Sequence, residues 1–291
     1  MAAELAEKHN GRINENESEV FEFMALLKAC TVRKALDEGC RIHALIVKKG
    51  LLERSPHLGS SLISMYAKCG VLSKAKEVLE NLPIRNVVSW SALISGYAQQ
   101  GQFDEALTCY ERMKSEGLSP NAVTFSCILK VCGSTRAIDK GKQIHIDVVK
   151  KGLLGKDIIL NNALVDMYAK CGALVEAHEV LNELHIQDVV SWTSLVSGYV
   201  QYERNEEALE CLETMQREGI SPNPITFVCT LKACGKLRAL DKGKHIHNEI
   251  ICKGLLRNDN LLGNSLVDMY AKCGAFIEAH EVFDKISTTR N

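Results

Sequence analysis

The stretch "NVVSWSALISGYAQQGQFDEAL" (86–107) returns 102 residues later as "DVVSWTSLVSGYVQYERNEEAL" (188–209). Self-similarity at a fixed interval marks a repeat architecture and has to be read before any local motif. The 102-residue cycle divides into three unequal paragraphs of 35, 36 and 31 residues, spanning 87–121, 122–157 and 158–188. It begins again at Val189, and an incomplete earlier cycle precedes Val87. Eight paragraphs therefore fill 20–55, 56–86, 87–121, 122–157, 158–188, 189–223, 224–259 and 260–291, behind a polar leader over 1–19.

Each paragraph predicts two helices. Trp90, Leu93, Ile94 and Tyr97 stand at i, i+3, i+4 and i+7, one face of a helix. Ser89 is placed to cap that helix and Gly101 to end it. Phe103, Ala106, Leu107, Tyr110 and Met113 form the stripe of a second helix, which Gly117 closes before the turn "LSPN" (118–121). A single hairpin of this kind cannot bury its apolar stripe; stacked on its neighbours it can. The expected fold is all-α, a right-handed superhelical solenoid of helix-turn-helix repeats.

Composition narrows the function classes. A chain 46% hydrophobic and 24% charged is folded, and it holds no apolar run of about 18 residues that would cross a membrane. Its net charge of −1 supplies no general basic footprint for nucleic acid, so any such surface must be local. The leader "MAAELAEKHNGRINENESE" has no apolar core for secretion and too many acids for an organellar transit peptide. Ten of the twelve cysteines are copies of four repeat positions, and no CxxC occurs. That spacing predicts buried free thiols in a reducing compartment, with neither a zinc site nor a disulfide framework.

The strings "VVSWSALISGYAQQGQFDEALTCYERMKSEGLSPN" (87–121), "GKQIH" (141–145) and "NALVDMYAKCGALVEAHEV" (162–180) resemble pentatricopeptide repeat proteins. The paragraph lengths are similar to the P (35), L (36) and S (31) motifs of the plant PLS class, in the order L-S-P-L-S-P-L-S. A tetratricopeptide-like array would instead keep a constant period of 34. The resemblance implies single-stranded RNA binding, one base per repeat, read by two or three side chains. In that scheme the fifth and last residues of a motif meet the base edge and the second packs on its face.

Carried onto this chain, the P motifs give Ser91 with Asn121 and Thr193 with Asn223, a combination the family uses for adenine. An Asn amide both donates and accepts, as an adenine edge requires. Among S motifs, Ser60 with Asn86 implies adenine and Asn162 with Asp188 implies uracil, whose N3–H an aspartate accepts. Asn264 pairs with Asn291 for a pyrimidine, unless Arg290 is the last residue of a motif whose end runs one residue long. In the L motifs, Ser126 with Asp157 implies guanine, whereas Met24 with Ser55 and Val228 with Asp259 imply spacing. The packing residues would be His57, Val88, Val123, Ile159, Val190, Ile225 and Leu261. The implied target is N-A-A-G-U-A-N-Y, and the implied setting is a mitochondrial or chloroplast RNA editing or processing factor. A small organellar editing protein would dock on the L motifs, and no cofactor is implied. The same small polar residues would also serve simply as helix caps, since Asn121, Asp157, Asp188, Asn223 and Asp259 all precede helices. Lys28, Lys130 and Lys232, like Lys68, Lys170 and Lys272, recur and would face phosphates or solvate helix ends.

Catalysis finds no support. Relatives of this class carry a cytidine deaminase signature, HxE followed by PCxxC. "HNE" (247–249) corresponds to "HID" (145–147) and "HAL" (43–45) in the earlier copies, and no PCxxC follows. His43, His145 and His247 are expected to pack between helices. No GxSxG elbow or phosphate loop occurs. The expectation is a non-catalytic chain without the family's deaminase-like domain; the rival reading is a helical-repeat scaffold that binds a peptide or protein.

Overall fold

A computed structural model describes residues 2–53, 55–184, 186–257 and 260–288, and it is helical throughout, with no strand among the described residues. The first helices of the eight motifs are α1 (Ala2–Arg33), α3 (Pro56–Lys68), α5 (Val87–Gln99), α7 (Ala122–Thr135), α9 (Ile158–Lys170), α11 (Val189–Gln201), α13 (Pro224–Leu237) and α15 (Asn260–Lys272). The second helices are α2 (Leu36–Lys48), α4 (Leu72–Asn81), α6 (Phe103–Ser115), α8 (Ile138–Lys150), α10 (Leu174–Glu183), α12 (Asn205–Arg217), α14 (Leu240–Cys252) and α16 (Phe276–Thr288). The first helix, α1, begins at Ala2 and runs through the polar residues 2–19 into the first motif.

The chain forms two compact units, residues 1–131 and 132–291. In the first, α3 packs on α4 and α5 on α6 as hairpins, while α1, α3 and α5 pack side by side. In the second, α9 with α10, α11 with α12 and α15 with α16 form the hairpins, and α9, α11, α13 and α15 form the row. The all-α helical-repeat fold is thus present in both.

The stripes named above are the core. Trp90, Leu93, Ile94 and Tyr97 are buried, as are their copies Trp192, Leu195, Val196 and Tyr199. Each such side chain contributes about 1.5–3 kcal/mol on burial, which outweighs the modest helix propensity of segments as rich in Ser and Val as "VVSWTSLVSGY". Gly101 (φ 72°) and Gly117 (φ 76°) end α5 and α6 in the left-handed conformation, where a side chain would be strained. Gly96 matters for a different reason. A Cβ there would lie 2.7 Å from Ala67 Cβ and 2.8 Å from Leu72 Cδ2, so its bareness lets α5 approach the preceding hairpin.

One expectation is corrected at the start of α5. The cap is Asn86, whose Oδ1 accepts from Ser89 N (2.9 Å), while Ser89 Oγ accepts from Asn86 N (3.0 Å). Ser89 is thus the third helical residue of a capping box, because the helix begins at Val87, three residues earlier than the tryptophan stripe suggests.

All twelve cysteines are free thiols; Cys30, Cys109, Cys132, Cys211, Cys229 and Cys234 are buried. Burial pushes the Cys132 thiol up to about 11 and those of Cys211 and Cys234 up to about 12, keeping them protonated and inert.

Candidate nucleic-acid interface

The second residue of each motif sits on the first turn of its first helix, away from the buried stripe. There Val88 (52% exposed), Val123 (57%), Ile159 (62%), Val190 (49%), Ile225 (58%) and Leu261 (57%) all present large apolar side chains to solvent. His57, in the same register, is exposed as well. Single exposed apolar residues need no explanation; here the exposure recurs at the same position of six motifs, as it also does at Val47, Val149 and Ile251 elsewhere in the repeat.

The fifth residues lie one turn further on and are less accessible than the sequence suggests. Ser60, Ser91, Ser126 and Thr193 are buried, Asn162 is half-buried, and Asn264 is exposed. A position 100° from the tryptophan stripe does not face solvent here, because the neighbouring first helix packs over it. The last residues Asn86, Asn121, Asp157, Asp188 and Asn223 are half-buried, and each caps the following helix through a side-chain oxygen.

Capping does not remove these residues from their partners. In the first S motif, Ser60 Oγ lies 3.4 Å from Asn86 Oδ1 and donates to Pro56 O at 3.2 Å. In the second, Asn162 Nδ2 donates to Asp188 Oδ2 at 3.0 Å, while Asp188 Oδ1 accepts from Val190 N and Ser191 N, each at 3.0 Å. One carboxylate oxygen therefore holds the helix and the other meets the fifth residue. In the P motifs a third hydroxyl intervenes. Ser91 Oγ is 2.6 Å from Thr124 Oγ1, which is 2.9 Å from Asn121 Oδ1. Thr193, Thr226 and Asn223 repeat this at 2.7 and 3.0 Å. The sequence does not single out Thr124 or Thr226, which read as ordinary residues of a helix's first turn.

The remaining residues each sit within their own unit. Ser126 Oγ donates to Ala122 O (2.8 Å) in the first unit, and Asp157 caps α9 through Leu160 N (2.9 Å) in the second. Met24 is half-buried and Val228 buried. Asn291, Arg290 and Asp259 lie outside the described residues.

In the first unit, α1, α3, α5 and α7 enclose an open groove of about 690 Å³. His57, Ser60, Val88, Ser91, Asn121 and Val123 line it together with Lys28 and Lys68. The lysines distinguish one copy from the others. Lys170 is held by Asp166 (2.7 Å) and Lys272 by Asp268 (2.7 Å), whereas Lys68 has Ser64 at the corresponding position and no ion pair among the described residues.

The repeated histidines are packed between helices: His43, His145 and His247 contact the Tyr66, Tyr168 and Tyr270 hydroxyls through Nδ1 at 2.9, 2.9 and 2.8 Å. Burial lowers all three histidines below their ordinary value.

Comparison with known proteins places this geometry. Profiles described as "PPR repeat family" match residues 85–134 and 187–236, and those described as "PPR repeat" match 60–87, 162–188 and 264–288, together more than half of the chain. A chloroplastic pentatricopeptide repeat-containing protein of Arabidopsis thaliana is 38% identical over 91% of this chain and 43% of its own length. A putative mitochondrial one from the same plant is 41% identical over 90% of this chain and 41% of its own. The chain thus spans about two fifths of these relatives. Among solved structures, the pentatricopeptide repeat protein PPR10 in complex with an 18-nt psaJ RNA element superposes with a TM-score of 0.71. It is 21% identical, over 87% of this chain and 37% of PPR10, a likeness of fold.

Proposed function

The chain belongs to the pentatricopeptide repeat family, and from that premise we propose that it binds single-stranded RNA, one base per motif, as the recognition part of an organellar RNA editing or processing factor. The observation that carries this reading is the groove of the first unit. There His57, Val88 and Val123, the fifth residues Ser60 and Ser91, the last residue Asn121 and two lysines line one surface. Bases would lie between successive second-position side chains, His57, Val88 and Val123 in the first unit. Their Watson–Crick edges would meet Ser60 with Asn86 and Ser91 with Asn121, and Lys28 and Lys68 would face phosphates.

The hydrogen-bond polarity fits the bases assigned. With Oδ1 spent on the cap, Asn86, Asn121 and Asn223 offer their NH2 as donor. Asp188 has only acceptors to offer. The unequal 35-, 36- and 31-residue cycle supports assignment to the PLS class. These residues contain no HxE…PCxxC signature, so any deamination is chemistry of another segment or polypeptide. The organelle names of the relatives, one chloroplastic and one mitochondrial, support an organellar site of action. A small editing-factor protein would then engage the L motifs.

The test is fluorescence anisotropy with a labelled RNA carrying A-A-G-U-A, beside a scrambled RNA and the equivalent DNA at two salt concentrations. The cognate RNA should bind at least about tenfold more tightly, the value of one good bidentate base contact. Asn162→Ser with Asp188→Asn should move the preference at that register from U to A. Equal binding of all three, weakening together with salt, would reduce the interface to phosphate contacts. Binding of none would turn the inner face over to a peptide or protein.

A further inference from the structure

The junctions between P motifs and the L motifs that follow contain a polar group that the scheme of second, fifth and last residues does not use. Thr124 and Thr226, each the third residue of the following L motif, are completely buried, yet each hydroxyl touches both members of a reader pair. The S-to-P junctions lack this arrangement. There the third residue is Ser89 or Ser191, whose hydroxyl turns back to the carbonyl of its own cap, Asn86 O at 2.8 Å or Asp188 O at 2.9 Å.

We infer that Thr124 and Thr226 are positioning residues that fix which partner of each pair donates and which accepts, an inference that rests on the base-reading proposal above. A count of protons decides the polarity. A hydroxyl has one proton and two lone pairs. Ser91 Oγ is 2.6 Å from Val87 O and 2.6 Å from Thr124 Oγ1, and Thr124 Oγ1 is 2.9 Å from Asn121 Oδ1. Two protons serve three contacts. In either arrangement Ser91 spends its proton inside the protein, on Val87 O or on Thr124, and offers a base only an acceptor. The Asn121 Oδ1 already accepts from Thr124 N at 2.9 Å, which orients the carboxamide and leaves its NH2 as a donor. Acceptor beside donor is the complement of an amino-bearing base, adenine or cytosine; guanine and uracil present the reverse. Thr193, with Val189 O at 2.6 Å and Thr226 Oγ1 at 2.7 Å, is constrained in the same way.

Removing the threonine hydroxyl leaves Val87 O alone to hold the Ser91 proton, so Ser91 can exchange that one contact for donation to a base and the pair should tolerate a keto base better. The experiment is anisotropy with full-length wild type, Thr124→Val and Thr124→Ser. It uses the A-A-G-U-A RNA and two variants with U in place of A, one at the Ser91 register and one at the Ser60 register. For Thr124→Val the preference for A over U at the Ser91 register should fall about threefold to tenfold, the value of one hydrogen bond. That fall should come mainly from gained affinity for the U variant. Discrimination at the Ser60 register should stay unchanged, and Thr124→Ser should restore the wild-type preference. An equal loss of affinity for all three RNAs would make Thr124 merely structural and overturn the inference, as would undiminished discrimination by Thr124→Val. A wild type that does not discriminate at either register would overturn base reading itself, which is a different result.

Discussion

At the scale of single residues, the last position of a motif caps the next helix and, on the proposed reading, would meet a base through the same small side chain. Asn121 caps α7 through Oδ1 and is among the residues that line the groove. Asn121→Asp keeps an oxygen for the cap but exchanges the donor for an acceptor. Its unfolding free energy should stay within about 0.5 kcal/mol of wild type in urea. Its preference at that register should move from A towards G, whose N1–H and N2–H seek acceptors. Unchanged base preference in that variant would remove Asn121 from the interface. Much of this is legible in the sequence: the repeat register alone identifies the pairs Ser60–Asn86 and Asn162–Asp188, which the fold brings into contact. Thr124 is not legible there, because its contact with Ser91 joins α7 to α5, and no spacing within either helix encodes it.

At the scale of elements, glycines set how closely first helices stack. Gly96 faces Ala67 and Leu72, and its copy Gly198 faces Ala169 and Leu174, so the same notch is cut twice. Gly96→Ala would place a methyl group 2.7 Å from Ala67 Cβ, where no flexible side-chain end can yield. The expected cost is about 1–3 kcal/mol of stability, measured as a fall in the urea midpoint at unchanged m-value. Stability equal to wild type would mean the hairpins slide apart without cost. Helices and turns are readable from apolar period and glycine placement. The starting residue of α5 is not, because Asn86 and Ser89 are both competent caps and only the backbone conformation at Asn86 decides between them.

At the scale of the whole molecule, a net charge of −1 and an RNA interface are compatible only if positive charge is concentrated. Lys68 is the distinctive case, since its copies Lys170 and Lys272 are neutralised by Asp166 and Asp268. Lys68→Ala should lower the slope of log affinity against log salt by about 1, as loss of one phosphate contact would. Lys170→Ala should change it less. Equal slopes for the two variants would show that the aspartates do not discharge their lysines. The difference is written in the sequence as Ser64 against Asp166 and Asp268, but it acquires meaning only when helical geometry sets those residues one turn from the lysines.

The sharing of Asn and Asp between capping and pairing limits the alphabet available to such a reader. A last residue that cannot accept a hydrogen bond from the next helix weakens its neighbour whatever base it would select. Only Asn, Asp, Ser and Thr combine a short reach with a suitable oxygen. On the proposed reading, rewriting the target would therefore be a matter of choosing among four letters at each boundary. Any fifth choice would trade information for an unravelled first turn.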